Sequence, residues 1–339
     1  MSEDAATSPI GKLIAWTRAA PHRKPLIWLS CLIMAHGFAI NLYLGLWQYG
    51  ESGFFPTLNS YTIGAMGLAL LILGARRKLK QVDLADALLG LFSLGVLLAF
   101  FPAIKSAIPL IVPYYLDPLL IKVDGWLHFG MQPYELVWFV LSIPAFVTLL
   151  DIAYYFYFFF VIFAAGFVIF SAPGQKEREA FILAYIGAWY INGCIIATAA
   201  SSVGPIYLPY FYDGALTAPF EAGLAGLCER SSATCFFRDI LLDWHLYGPI
   251  TDLNGPSAFP SMHISTTFLI SLYVHKHSPK FAIVTWVFFA VIMVGSVVLL
   301  WHYAIDSYAS LITTYVIWWA ARRYLSDGQT ASQPTPDQA

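Results

Sequence analysis

Eight apolar runs divide the chain, at about 26–47, 57–75, 84–104, 149–171, 180–202, 262–275, 281–300 and 302–320. Most approach the roughly 20 residues a helix needs to cross about 30 Å of hydrocarbon. The pattern predicts an all-α fold, a polytopic membrane helix bundle of about eight transmembrane helices. Short polar intervals join most of the runs, but residues 105–148 and 203–260 form two long ones. The first contains a stretch, 113–135, that mixes Tyr and Trp with acids, the composition of an interfacial segment. The second is rich in Gly, Pro and Tyr, too aromatic for a disordered linker and long enough to carry function.

Composition agrees, since 59% of the 339 residues are hydrophobic and only 11% charged, against about a quarter charged in soluble domains. The net charge of −2 and the scatter of the basic residues give no sign of a nucleic-acid partner. Those basic residues report sidedness. Arg76, Arg77, Lys78 and Lys80 follow the second run, Lys176 and Arg178 the fourth, Lys276 and Lys280 the sixth, Arg322 and Arg323 the eighth. With the basic N-terminal region, fourteen of the eighteen Lys and Arg fall on one side. The positive-inside rule makes that side cytoplasmic, together with both termini. Lys105, Lys122, Arg230 and Arg238 are left on the outer side with residues 113–148 and 203–260.

The boundaries follow from this reading: a polar cytoplasmic leader over 1–25 with no signal-peptide pattern, N-terminal membrane helices over 26–112, a larger membrane domain over 113–325, and a polar, disordered tail over 326–339. Cys31 and Cys194 lie inside apolar runs as packing residues. Cys228 and Cys235 share the outer loop, where a disulfide is possible, although spacing alone does not fix the pairing.

The chemistry concentrates between Phe259 and Asp306. In a helix beginning near Trp301, His302 and Asp306 stand at i and i+4, with Cβ atoms roughly 5–6 Å apart. The carboxylate then holds one imidazole nitrogen and leaves the other free as a nucleophile or base. Pro260-Ser261-Met262-His263 has the form of a helix start, with Ser261 at the N-cap and free backbone N–H groups suited to a phosphate. His263, in the first turn, is placed to protonate an oxygen leaving that phosphate. Each feature also has a plain structural reading as a helix cap. An antiparallel helix pair would bring His263 and His302 to the same side of the membrane.

Taken together, these residues resemble the type-2 phosphatidic acid phosphatase superfamily over roughly residues 113–320. Its Pro-Ser-Gly-His motif is similar to Pro260-Ser261-Met262-His263, and its Ser-Arg, five residues, His, three residues, Asp motif to Gly295-Ser296 through His302 to Asp306. The resemblance implies a six-helix phosphatase-like catalytic core, His302 as nucleophile, Asp306 orienting it, His263 as general acid, and no metal or cofactor.

The departures carry information too. Met262 stands where the family has Gly, and Gly295-Ser296 lacks the arginine. The first motif is absent, with Gly204-Pro205-Ile206-Tyr207 at about its place. A hydrophobic residue before the histidine and a His-Tyr-x-x-Asp third motif, here His302-Tyr303-Ala304-Ile305-Asp306, resemble the inositol phosphorylceramide synthase branch. That likeness favours a phosphotransferase over a plain phosphatase, with a lipid phosphate donor, a lipid or water acceptor, and substrate contacts drawn from Ser261, Gly204, Pro205, Tyr207, Tyr303, Arg230 and Arg238. Asp117, Asp124, Asp151 and Asp213 lie on the same side, either to bind sugar hydroxyls or to pair with the four cations. Two other readings stay open: a metal site, with His128 and His245 as further ligands, and a transporter using buried His and Asp for protons.

Overall fold

The computed structural model describes residues 8–43, 83–137, 142–171, 176–247 and 256–330, with Gly74 and Phe139 as isolated positions. The expected second run, 57–75, apart from Gly74, and the tail beyond Thr330 lie outside the described residues. Helices dominate: α1 Pro9–Ala19, α2 Arg23–Tyr43, α3 Leu84–Ile111, α4 Asp117–Leu127, α5 Pro144–Ile169, α6 Lys176–Tyr190, α7 Ser232–Tyr247, α8 Met262–His277, α9 Pro279–Val298 and α10 Ala304–Thr330. Five described helical stretches are long and apolar enough to cross a membrane: α2, α3, α5, α9 and Lys176–Ala199, in which α6 continues through a π turn at Ile191–Ile196. The chain is an integral membrane protein with a helical bundle.

Two elements depart from the expected segments. The leader is not featureless, because Ser8 accepts the Gly11 N–H at 3.0 Å and Pro9 opens α1. Ile10, Leu13 and Ile14 are exposed along it, the pattern of a helix lying in the interface. At the other end α10 continues past Ser326 to Thr330, beyond the point where polar composition suggested a tail.

Polar positions inside the spans face other helices. Ser307, Ser310 and Thr314 of α10 are fully buried, a small-residue stripe that lets helices approach closely. The Asn192 side-chain amide donates to Ser265 Oγ at 2.9 Å and Thr314 Oγ1 at 3.2 Å, tying α6, α8 and α10 together. Gly295 admits the Tyr154 ring, which would stand 3.3 Å from a Cβ there.

Each end of the bundle is closed by buried charge. At the end bearing α1, Arg23 Nε lies 2.7 Å from Asp86 Oδ1, and His22 sits 3.4 Å from both Asp86 and Glu179, joining α2, α3 and α6. At the opposite end residues 113–136 and 203–247 build a cap with an apolar core of its own, including Leu120, Ile206, Phe220, Leu242 and Tyr303. The Cys228–Cys235 disulfide lies within this cap.

Two acids of α4 organise the cap. Asp117 accepts from Ser202 Oγ (2.9 Å), the Val203 N–H (3.1 Å), the Gly204 N–H (3.1 Å), Tyr212 Oη (2.9 Å) and Tyr303 Oη (3.0 Å). Asp124 accepts the Ala304 and Ile305 N–H groups, both at 2.8 Å, and so caps α10. Asp151 accepts from Ser231 and Thr234. These carboxylates are therefore engaged by the fold, not by the four outer cations or a sugar.

Replacing Asp117 with Ala strands five donors, and stranding buried polar groups costs about 1–3 kcal/mol each without simple additivity. Asp117→Ala should lower unfolding free energy in detergent by about 3 kcal/mol or more, read as a fall in thermal midpoint, with Asp117→Asn between it and wild type.

Burial alone would lower the His22 pKa, but the Asp86 and Glu179 carboxylates outweigh it and raise it. The raised folded value means that this stabilisation is complete below about pH 6.5 and is lost as pH rises through the folded pKa. The gap in melting temperature between wild type and His22→Ala should therefore be larger at pH 6 than at pH 9.

Candidate active site

The site forms where the cap meets the outer ends of α8 and α10. After α9 the chain reverses through Leu299–Tyr303, with Leu300 in the left-handed region at φ 60°. The turn is held by the Ile206 N–H donating to Leu300 O at 2.9 Å and the His302 N–H donating to Ser296 O at 3.0 Å. Gly204, at φ 84°, runs so close that a Cβ would stand 2.7 Å from Trp301 O. Only glycine meets both demands. A long, buried loop thus fixes the backbone that carries His302.

His302 is not in the last helix, as its spacing from Asp306 suggested, because α10 begins at Ala304. The pair forms nonetheless. Asp306 Oδ2 reaches back to the Tyr303 N–H at 3.1 Å and to His302 Nδ1 at 3.2 Å. The carboxylate serves as helix-start cap and imidazole orienter at once, leaving His302 Nε2 for chemistry. Asp306 is fully buried and His302 nearly so.

His263 faces this pair from the first turn of α8, its ring centroid 5.8 Å from that of His302. Rings of α5 hold it: Tyr157 at 4.2 Å, Tyr154 at 4.5 Å and Phe158 at 5.7 Å. α8 runs to His277, about 24 Å of helix against about 30 Å for α9, and the reversal after α9 returns His302 to the level of His263. The site is sunken beneath the cap.

Ser261 occupies the N-cap position of α8, yet its hydroxyl makes no capping bond. Its N–H donates to Asp306 O at 3.4 Å and its carbonyl accepts from Ser310 Oγ at 2.9 Å, which locks the two helix starts together. Among the buried polar atoms without a partner are Ser261 Oγ, His263 Nε2, Asp306 Oδ1 and Ser307 Oγ, with Tyr154 Oη and Trp301 Nε1 in the surrounding shell. Buried polar groups are ordinarily satisfied, so their concentration beside His302 marks a place for a polar ligand.

The remaining candidates divide. Gly204 packs against the His302 turn, Pro205 opens the short Pro205–Tyr207 turn that follows it, and Tyr303 donates from the cap core to Asp117. Tyr207 packs edge-on to Trp301 at 6.1 Å. Arg238 pairs with Asp239 at 2.7 Å, and Arg230 donates to Ala225 O at 3.4 Å beside Gly226. His128 is engaged at both ring nitrogens, by Asp124 O at 2.7 Å and Tyr308 Oη at 2.9 Å, and among the described residues no three His, Cys, Asp or Glu side chains gather as a metal-ion set. Sequence reasoning missed Tyr154, Tyr157 and Ser307. The Tyr-Tyr-Phe-Tyr run at 154–157 was the available signal, hydroxyls in a span that otherwise needs none.

The family model of the PAP2 superfamily matches residues 118–320. No curated protein and no solved structure matches the chain.

Gly204→Ala combines a left-handed backbone with a contact to a fixed carbonyl, a cost of about 2 kcal/mol or more. The variant should keep its helical circular dichroism but melt several degrees lower. An unchanged melting point would show that the Trp301 carbonyl yields easily.

Proposed function

The chain belongs to the PAP2 superfamily, whose members are generally phosphatases or phosphotransferases, and we propose that it transfers a phosphoryl-alcohol group between lipids through a covalent intermediate on His302. The observation that carries this reading is the pairing of an Asp306-oriented His302 with His263, whose ring centre lies 5.8 Å away, beside unpartnered hydroxyls. With Nδ1–H donated to Asp306, His302 Nε2 presents its lone pair to phosphorus. Formation of the N–P bond breaks the P–O bond to the leaving alcohol, and protonated His263 gives its proton to that oxygen. An acceptor hydroxyl then passes its proton to His263 and attacks phosphorus, and the N–P bond breaks to restore His302. These roles call on no metal ion or cofactor.

Two features favour transfer to a lipid hydroxyl, in the manner of inositol phosphorylceramide synthase, over hydrolysis. The Ser-Arg arginine is replaced by Gly295-Ser296, and the site is buried among the aromatic rings of α5 beneath the cap, where water is scarce. Phosphatase activity is the alternative, sharing the first half-reaction. The distribution of Lys and Arg supports cytoplasmic termini and a site on the non-cytoplasmic side.

Purified protein given a 32P-labelled phospholipid should yield an acid-labile adduct that disappears in His302→Ala. His263→Ala should slow its formation by about 10²-fold or more, the usual worth of a general acid. Turnover that rises with an added ceramide or diacylglycerol supports transfer, whereas phosphate release indifferent to acceptor supports hydrolysis. Lipid translocation surviving His302→Ala, with no adduct in wild type, would sink both in favour of a transporter.

A further inference from the structure

A phosphate site without the superfamily's arginine needs positive charge from elsewhere, and one cation lies on a helix outside the matched residues. Lys105 belongs to α3, four positions after Phe101, so the two share one face a turn apart. Gly193, in the π turn after α6, fixes where that face points. A Cβ on Gly193 would stand 2.8 Å from the Phe101 ring and 3.3 Å from Met262 Sδ. Phe101 and Met262 thus meet at one backbone point, and Met262 immediately precedes His263. Lys105 lies one turn nearer the capped end, the end at which His263 sits.

This lysine is half-buried, and among the described residues no ion pair or hydrogen bond to it is formed. An ammonium at membrane depth without a counter-charge is costly and usually marks function. The unpartnered Ser261, Ser307 and His263 groups near the same helix start supply the rest of an oxyanion cradle.

We propose that Lys105 is the cation of the phosphate site, its Nζ pairing with the non-bridging oxygens of the substrate while His302 and His263 act on phosphorus. The inference rests on the phosphoryl-transfer reading of that site. Lysine suits the position as a compact charge with three donors, in place of a planar guanidinium fork. The ligand chemistry is a phosphoryl oxyanion, carried by a lipid headgroup or by free phosphate.

The test measures thermal stabilisation of the full chain in detergent by orthovanadate and, separately, by short-chain phosphatidic acid. Lys105→Met should weaken both by about ten- to a hundredfold, as loss of a charge-assisted hydrogen bond does. Lys105→Arg should restore most of the affinity. Without ligand Lys105→Met should melt at or above wild type, since an unpaired cation has been removed, and Lys105→Gln replaces it if it melts lower. Loss for phosphatidic acid alone assigns Lys105 to the lipid headgroup, and loss for both assigns it to the phosphoryl group itself. Binding of both ligands within about twofold of wild type in the neutral variants, or no response in wild type, would overturn the proposal. The wild type separates the two claims: lysine-dependent anion binding with no acid-labile adduct from the 32P-labelled phospholipid would leave the Lys105 site standing and remove the covalent mechanism.

Discussion

The outer half of this protein depends on the buried carboxylate of Asp117. Its oxygens accept from two loop N–H groups, a serine and two tyrosines, and each donor belongs to a segment with no regular partner of its own. Loops that cross a buried surface carry peptide groups that must be satisfied. Asp117 does this for residues 202–204, and the satisfied loop then supplies the Gly204 backbone against which the Trp301 carbonyl rests. Asp124, two helical turns along α4, does the same for the start of α10. The His302–Asp306 pair is placed by two acids that make no hydrogen bond to it.

This explains which parts of the site were legible in the sequence. His302 and Asp306 are four residues apart and His263 follows a helix-start pattern, so local geometry sufficed to nominate them. The helix boundary between them is set from outside the local sequence, by Asp124, 180 residues away from Ala304, which caps α10. Asp117 and Asp124 were visible only as charges on one side. Nothing local distinguishes an acid that accepts backbone N–H groups from one that binds a sugar. Gly204 and Tyr207, nominated by their place along the chain, pack against Trp301 in the histidine turn.

The bundle itself followed from hydropathy, with instructive exceptions. The 16-residue α8 and the polar-striped α10 do not meet the length and hydropathy of a free-standing span. Their hydroxyl-bearing faces are hidden among other helices, so neighbours relax the need for apolar residues. Tyr154 and Tyr157 fall inside the apolar run at 149–171. Only the structure shows that they clamp the imidazole of His263.

The buried ion cluster at the opposite end bears on how far the protein can be divided. His22, Arg23, Asp86 and Glu179 come from α2, α3 and α6 and their flanks, and Gly193 of the matched region packs on Phe101 of α3. The border near residue 112, natural from sequence, is therefore no seam in the packing. A chain begun there would keep both histidines and Asp306, yet leave Glu179 buried without its histidine and the π turn facing lipid. The helices ahead of the motif-bearing region are its inner wall, and the working unit is larger than the stretch that carries the chemistry.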